Sequence, residues 1–153
     1  NVRFVVCGVG DLLDGLLLSS KDLQNFHLPG WVTKKQIRIL MQMSNAGVLP
    51  YRSDRGFELS FPNKVGEYLS EGLPIISSIN GVLSKFLESE GVGLTYKNND
   101  VEGLVNSIYT ILSSNDLESD MREKAKKAFN KKFNAETVYQ DLAGYLEQKA
   151  FKS

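Results

Sequence analysis

The sequence predicts an α/β domain of the Rossmann-like kind, a parallel sheet with helices on both faces, and three observations carry that prediction. Short apolar, often β-branched runs alternate with stretches of helical periodicity; glycine or proline marks most of the passages between them; and the closing part of the chain holds helical patterns only. Strands separated by helical patterns imply βαβ crossovers, hence parallel strands covered from both sides. A chain of 153 residues is long enough for one hydrophobic core and reads as a single domain, 1–153, with terminal helices from about residue 116.

Val2 to Gly8 is almost continuously apolar, the pattern of a strand buried on both faces, and Gly8 and Gly10 break it as a glycine-rich turn. A helix is expected from about Asp11 to Ser19, and a second strand from Asn25 to Leu28, ended by Pro29-Gly30. Thr33 and Gln36 form a capping box for a helix with Ile37, Leu40 and Met41 on one face. Ala46 to Leu49 is the third strand, Pro62 to Ser70 a helix, and Pro74 to Ser77 the fourth strand, entered through Gly72-Leu73-Pro74. Val82 to Glu90 is helical and Val92 to Tyr96 is the fifth strand. Asp100 stands as N-cap before Val101, Leu104, Val105, Ile108 and Leu112 at helical spacing. Leu117, Met121, Ala125 and Ala128 stripe the next helix; Val138, Leu142, Tyr145 and Leu146 stripe the last, with Phe133-Asn134 as the break. In sheets of this kind ligands bind beyond the carboxyl ends of the strands, here the loops after Gly8, Leu28, Leu49 and Ser77.

Composition narrows the function classes. With 18 basic against 18 acidic side chains the net charge is zero, which argues against nucleic acid as a partner, and no apolar run approaches the ~20 residues of a membrane span. The Lys and Arg between Arg122 and Lys132 are interleaved with acids at helical spacing and read as a solvated helix face. The single cysteine, Cys7, sits in an apolar run as a small hydrophobe. The chain opens with Asn1 and goes straight into a strand-like run, which gives the expectation of an excised piece whose N-terminal chemistry is missing.

Glu58 to Pro74, E-L-S-F-P-N-K-V-G-E-Y-L-S-E-G-L-P, carries the chemistry. Pro62 falls at a helix start, with Ser60 as candidate cap and Asn63 and Lys64 in the first turn. The unsatisfied amides and the positive dipole end found there suit a phosphate, and Lys64 adds a full charge if it points the same way. Glu67 lies one turn further in, on the face of Asn63 and Lys64, where its carboxylate is able to accept from a pair of ribose hydroxyls. Spacing alone leaves a plain Lys64–Glu67 surface pair equally open.

At these residues the chain resembles the GT-B glycosyltransferases of the large retaining group called family 4, or group 1. The form F-P-N-K-x-x-E-Y-L-x-x-G-x-P-I-I is similar to that of many bacterial surface-polysaccharide transferases. The resemblance covers essentially the whole chain. V-V-C-G-V-G-D matches the strand and glycine-rich turn, N-F-H-L-P-G-W the next strand and turn, and A-G-V-L-P-Y the strand before the motif; G-V-G-L-T-Y and M-R-E-K-A-K-K-A-F-N-K-K-F-N match the last strand and C-terminal helices. It implies the C-terminal, donor-binding half of a GT-B fold. It also implies that Glu67 holds the ribose, that the backbone of Asn63, Lys64 and Val65 meets the diphosphate, and that the strand end near His27 meets the base through main-chain groups. His27 itself, with no acidic or cysteine motif near it, reads as a packed strand-end residue and not as a catalyst. Two departures stand out. Where the family commonly has a second glutamate, eight positions before the ribose glutamate, this chain has Leu59; Glu58 beside it, with Ser60, is the substitute expected near the donor sugar. The family's diphosphate-gripping Arg and Lys lie upstream of Asn1, leaving Arg52 or Arg55 as local contributors.

What the resemblance implies is a retaining transfer of a hexose or N-acetylhexosamine, most readily from a UDP sugar, to a bacterial glycan such as an O-antigen or capsule, with the acceptor, lipid-linked in one version, held mainly by another domain. Charge on the leaving diphosphate is stabilised by helix-terminal amides and cations, worth roughly 3–4 kcal/mol per donor in comparable sites, so no cofactor or metal is expected. Asp11, Asp14 and Asp54 show no ligand spacing. The expected location is cytoplasmic, with a peripheral place at the inner face of the plasma membrane left open, and this stretch alone is expected to be inactive. A nucleotide-sugar epimerase of the same architecture and a non-catalytic nucleotide or sugar-binding module remain as alternatives. A receiver-like regulatory domain lacks its acids: Asp11 stands alone after the first strand, and Leu49-Pro50-Tyr51 ends the third.

Overall fold

The computed structural model describes residues 2–52 and 55–150. In chain order the elements are β1 (Phe4–Cys7), α1 (Leu13–Ser20), β2 (Phe26–Gly30), α2 (Lys34–Met43), β3 (Gly47–Leu49), α3 (Arg55–Glu58), α4 (Asn63–Ser70), β4 (Ile75–Ser77), α5 (Val82–Glu90), β5 (Gly93–Thr95), α6 (Val101–Leu112), α7 (Asn115–Lys132) and α8 (Ala135–Ala150). The expected alternation is present, with one addition: the single-turn α3, too short to show a periodicity in the sequence. The strands hydrogen-bond as two parallel sheets, β1-β2 and β3-β4-β5, instead of one five-stranded ladder. Cα proximity divides the chain into two compact units, one running to Leu40 and the other starting at Met41.

In the first unit β1 and β2 pair in parallel, Phe4 with Phe26, Val5 with His27 and Cys7 with Gly30, with a register irregularity between Val5 and Cys7. Two expectations change here. β1 is not buried on both faces: Val5 is 44% and Val6 43% exposed, and α1, which buries none of its residues, does not cover them. β2 runs two residues past Leu28: Pro29-Gly30 are its last two residues and not the turn after it, and the proline, which donates no hydrogen bond, sits where the register with β1 slips between His27 and Gly30. The capping box forms as expected. The Thr33 amide donates to Gln36 Oε1 at 2.9 Å, and the Gln36 amide donates to Thr33 Oγ1 at 3.3 Å.

The second unit is built around β4. Its neighbours in sequence point to opposite faces, and both Ile75 and Ile76 are fully buried, so the three-stranded sheet is covered on both sides. On the Ile75 side Val65 and Leu69 of α4, Leu83 and Leu87 of α5, and Ala125 and Ala128 of α7 join one core cluster. α6, with Ile108 and Ile111 buried, meets β4 from outside that cluster. Each buried Val, Leu or Ile among them contributes about 1.5–3 kcal/mol on burial, and each Ala less. Caps fix the helix limits. Asp100 accepts from the Gly103 amide at 2.9 Å, and Ser114 accepts from the Leu117 amide at 3.2 Å. Gly91, with φ +63°, closes α5 in the left-handed conformation. Asn134 accepts from the Glu136 amide at 3.0 Å where α8 begins. The stripe foreseen on α8 is not buried: Val138, Leu142, Tyr145 and Leu146 are 43–57% exposed, because α8 meets α7 with little of its length.

Candidate functional site at the carboxyl edge of the second sheet

Helices that connect parallel strands run antiparallel to them, so α4 and α5 both begin at the carboxyl edge of the β3-β4-β5 sheet. α4 opens from Pro62, whose extended backbone (φ −61°, ψ 139°) and missing amide prevent the helix from extending backwards. Among the described residues nothing accepts from the amides of Asn63 and Lys64, and both residues are exposed. Val65 departs from expectation. Its amide donates to the Pro62 carbonyl at 2.9 Å, a tight i→i−3 closure of the first turn, and its side chain is fully buried in the core. Two amides of the three are therefore open to a ligand. Ser60 does not cap α4 either: its hydroxyl donates to the Phe57 carbonyl at 3.0 Å, closing α3, because Pro62 takes the cap position and no side chain bonds the first turn.

Lys64 and Glu67 meet on the exposed face of α4, Lys64 Nζ lying 2.7 Å from Glu67 Oε2. The surface pair that spacing left open is thus formed. It sits beside the open amides, and α4 has no acidic residue in its first turn.

Packing holds this corner in place. Phe61, just ahead of α4, packs edge-on against Phe86 of α5 at 5.1 Å between centroids and stacks on Phe133 at 5.5 Å. Tyr51, after β3, stacks on Phe57 of α3 at 5.1 Å. Two buried serines where β4 ends tie the loops together: Ser78 Oγ donates to the Tyr51 carbonyl at 2.6 Å, and Ser77 Oγ accepts from the Ile79 amide at 3.0 Å. Glu58 reaches α5 through its backbone, where Gly81, at φ +98°, has no Cβ; a Cβ there would fall 2.2 Å from the Glu58 carbonyl oxygen. Composition and periodicity gave no sign of the Ser77-Ser78 ties or of the aromatic wedge, since both depend on loops whose partners are distant in sequence. A recess of ≈ 380 Å³ lies alongside, lined by Asn80 ahead of α5, by Ser84 and Glu88 of α5 and by Gly93 to Thr95.

The remaining expected site residues lie in the first unit. His27 is the second residue of β2, in register with Val5 and exposed, so it is neither packed nor at the strand's carboxyl end; the strand runs on to Gly30. Gly8 adopts φ +142° and donates its amide to the Gly30 carbonyl at 2.8 Å, and the Gly10 carbonyl accepts from Leu13 at 3.0 Å. These bonds make the glycine-rich turn that starts α1 beside an apolar recess of ≈ 210 Å³. Partial burial raises the pKa of Cys7, which lines that recess. Arg52 is exposed, Arg55 opens α3, and Asp54 lies outside the described residues. Among the described residues no three His, Cys, Asp or Glu side chains converge as a metal site, and no helix is long and apolar enough to cross a membrane.

A parallel sheet flanked by helices that begin at its carboxyl edge defines a Rossmann-like α/β class of fold, and solved structures show the same architecture. HepE from Anabaena in complex with UDP superposes with a TM-score of 0.79 at 17% identity, over 96% of this chain and 41% of that one. WaaG, a glycosyltransferase involved in lipopolysaccharide biosynthesis, superposes with a TM-score of 0.67 at 16% identity, over 85% of this chain and 34% of that one. The fold is that of GT-B glycosyltransferases, of which this chain covers a part. Residues 1–128 match the glycosyl transferases group 1 model, and the chain belongs to that family. A curated relative, the 2-deoxystreptamine N-acetyl-D-glucosaminyltransferase of Niallia circulans, is 22% identical over 97% of this chain, which spans 38% of the relative's length.

Proposed function

We propose that this chain provides the nucleotide-sugar donor site of a retaining glycosyltransferase acting in bacterial surface-polysaccharide synthesis. The observation that carries the reading is the start of α4. Two amides without acceptors, a first turn without acids and a lysine form a site for an anion, and the Glu67 carboxylate lies one turn behind it. A diphosphate and the ribose attached to it present those two chemistries at that spacing. Asn63 and Lys64 bind the diphosphate, Glu67 accepts from the ribose hydroxyls, and Glu58, fixed against the start of α5, lies toward the donor sugar. The amides and Lys64 stabilise the charge that develops on the departing diphosphate, so this reading calls for no metal and no cofactor. The group 1 family supports transfer of a glycosyl group, the likeness to a UDP-complexed structure supports a UDP sugar, and the likeness to an enzyme involved in lipopolysaccharide biosynthesis supports a glycan acceptor.

Ligand-observed NMR with UDP, GDP and ADP in parallel, on the wild type and on Glu67→Ala, tests it. UDP is expected to bind in preference, and the substitution to weaken it by about 1–3 kcal/mol, the range for a lost charge-assisted hydrogen bond, with the fold unchanged. An affinity for UDP that Glu67→Ala leaves unaltered removes Glu67 from the site.

A further inference from the structure

Lys64 stands where helix stability alone would not put it. A cation in the first turn opposes the positive end of the helix dipole, and α4 carries no acidic residue there to offset it. The ammonium group finds its counter-charge on Glu67 Oε2 at 2.7 Å, with the two side chains 49% and 46% exposed. An exposed i,i+3 pair of this kind is weak and opens readily. A lysine is a mobile point charge on a flexible stem, with three donors to redistribute. The same carboxylate is the one assigned to the ribose, and the same ammonium belongs to the first turn whose amides are assigned to the diphosphate. On that reading each group trades the partner it has here for one on the ligand.

We propose that Lys64 is a selectivity residue that works by exchanging partners. Without ligand it occupies the Glu67 carboxylate. When a nucleoside diphosphate reaches the start of α4, Lys64 turns to the phosphates and both carboxylate oxygens pass to the ribose hydroxyls. A nucleoside without phosphate has to displace Lys64 from Glu67 and offers the ammonium nothing in return, so it is rejected at the carboxylate that recognises its sugar. The exchange rests on the reading of Glu67 as the ribose contact, and it adds that the site distinguishes phosphorylated from unphosphorylated ligands by one mobile charge.

The test is to titrate UDP and uridine, by ligand-observed NMR, into the wild type, Lys64→Met and Glu67→Gln. Lys64 is exposed, so its replacement leaves the core intact, which circular dichroism checks. Lys64→Met is expected to weaken UDP about ten-fold, the effect of losing one charge-assisted contact. It is expected to tighten uridine about two-fold, the effect of removing a weak competing pair. Opposite signs for the two ligands are the signature of exchange. Equal weakening of both ligands would mean that Lys64 only positions Glu67, and no change in either would make the pair a bystander; each overturns the proposal. Glu67→Gln is expected to weaken both ligands. If it alters neither while Lys64→Met weakens UDP, the ribose assignment has failed and the phosphate assignment stands, a result distinct from failure of the exchange.

Discussion

Replacing Gly81 by alanine puts the described geometry of the site corner to a quantitative test. Gly81 caps α5 at φ +98° and ψ −127°, a conformation that L-residues rarely adopt and that costs on the order of 1–3 kcal/mol to impose. The added Cβ would also lie 2.2 Å from the Glu58 carbonyl oxygen, 3.0 Å from its carbon and 3.1 Å from its Cα. These are backbone atoms with no flexible end to swing aside, so α3 or the start of α5 has to move, at roughly 1–3 kcal/mol for overpacking. The two costs together come to about 2–6 kcal/mol, a large share of the roughly 5–15 kcal/mol that holds a domain of this kind folded. Gly144→Ala is the matched control: the same substitution in α8, at a position where a Cβ meets nothing within 4 Å. There the expected sign is opposite, a local gain of up to ~1 kcal/mol from helix propensity. Urea unfolding followed by circular dichroism should show a lower midpoint for Gly81→Ala and an unchanged or higher one for Gly144→Ala. Equal midpoints for the two variants would refute the close approach of Glu58 to α5.

Other substitutions follow from the same geometry. Ser78→Ala leaves the Tyr51 carbonyl without the hydroxyl that donates to it at 2.6 Å and is expected to destabilise the fold by about 1–3 kcal/mol, measured by urea unfolding. Phe61→Ala removes the ring between Phe86 and Phe133 and is expected to cost about 2–4 kcal/mol, less than a fully buried phenylalanine; it should weaken UDP as well, by releasing the start of α4, while Phe61→Leu keeps most of both. The raised pKa of Cys7 makes its thiolate scarce near neutral pH, so alkylation by iodoacetamide should be slower in the folded chain than in concentrated urea. The sign for stability follows. The unfolded thiol ionises first as pH rises, so this stabilising term is intact below the ordinary thiol range and is lost through the raised pKa of the folded state.

What could be read from the sequence was whatever local chemistry decides. The capping box of Thr33 and Gln36, the Asp100 cap, the break at Phe133-Asn134 and the helix opened by Pro62 are determined within a few residues of chain, and each lies where it was expected. What could not be read was settled by partners far along the chain. The run from Val2 to Gly8 has the composition of a doubly covered strand, but burial depends on what lies above and below it, and Val5 and Val6 remain 44% and 43% exposed. Pro29-Gly30 looked like the turn after β2 because proline cannot donate to a ladder; the register slips there, yet Gly30 still pairs with Cys7, which places the carboxyl end of the strand three residues beyond His27. The same holds for the site. The Lys64–Glu67 spacing was plain in the sequence, whereas the engagement of the Val65 amide, the turn of Ser60 toward Phe57 and the approach of Glu58 to Gly81 required coordinates.

The helix starts of the second unit divide in a way that stability does not account for. α6, α7 and α8 each begin at a side chain that accepts from the first turn, Asp100, Ser114 and Asn134, and each has an acidic residue in that turn. α4 and α5 begin at Pro62 and Gly81, with neither a side-chain cap nor an acid. A cap contributes about 1 kcal/mol, so its absence at α4 and α5 forgoes stability that α6, α7 and α8 retain. At α5 the close passage of Glu58 requires glycine, which accounts for that start by packing. At α4 the start is Pro62, and the first turn carries a lysine against its own dipole. A sequence departs from its local rules where something outside the chain supplies what is missing. On the proposed reading the diphosphate supplies both missing features, an acceptor for the two free amides and a negative charge for Lys64, which is why the helix best placed to bind it is the one left bare.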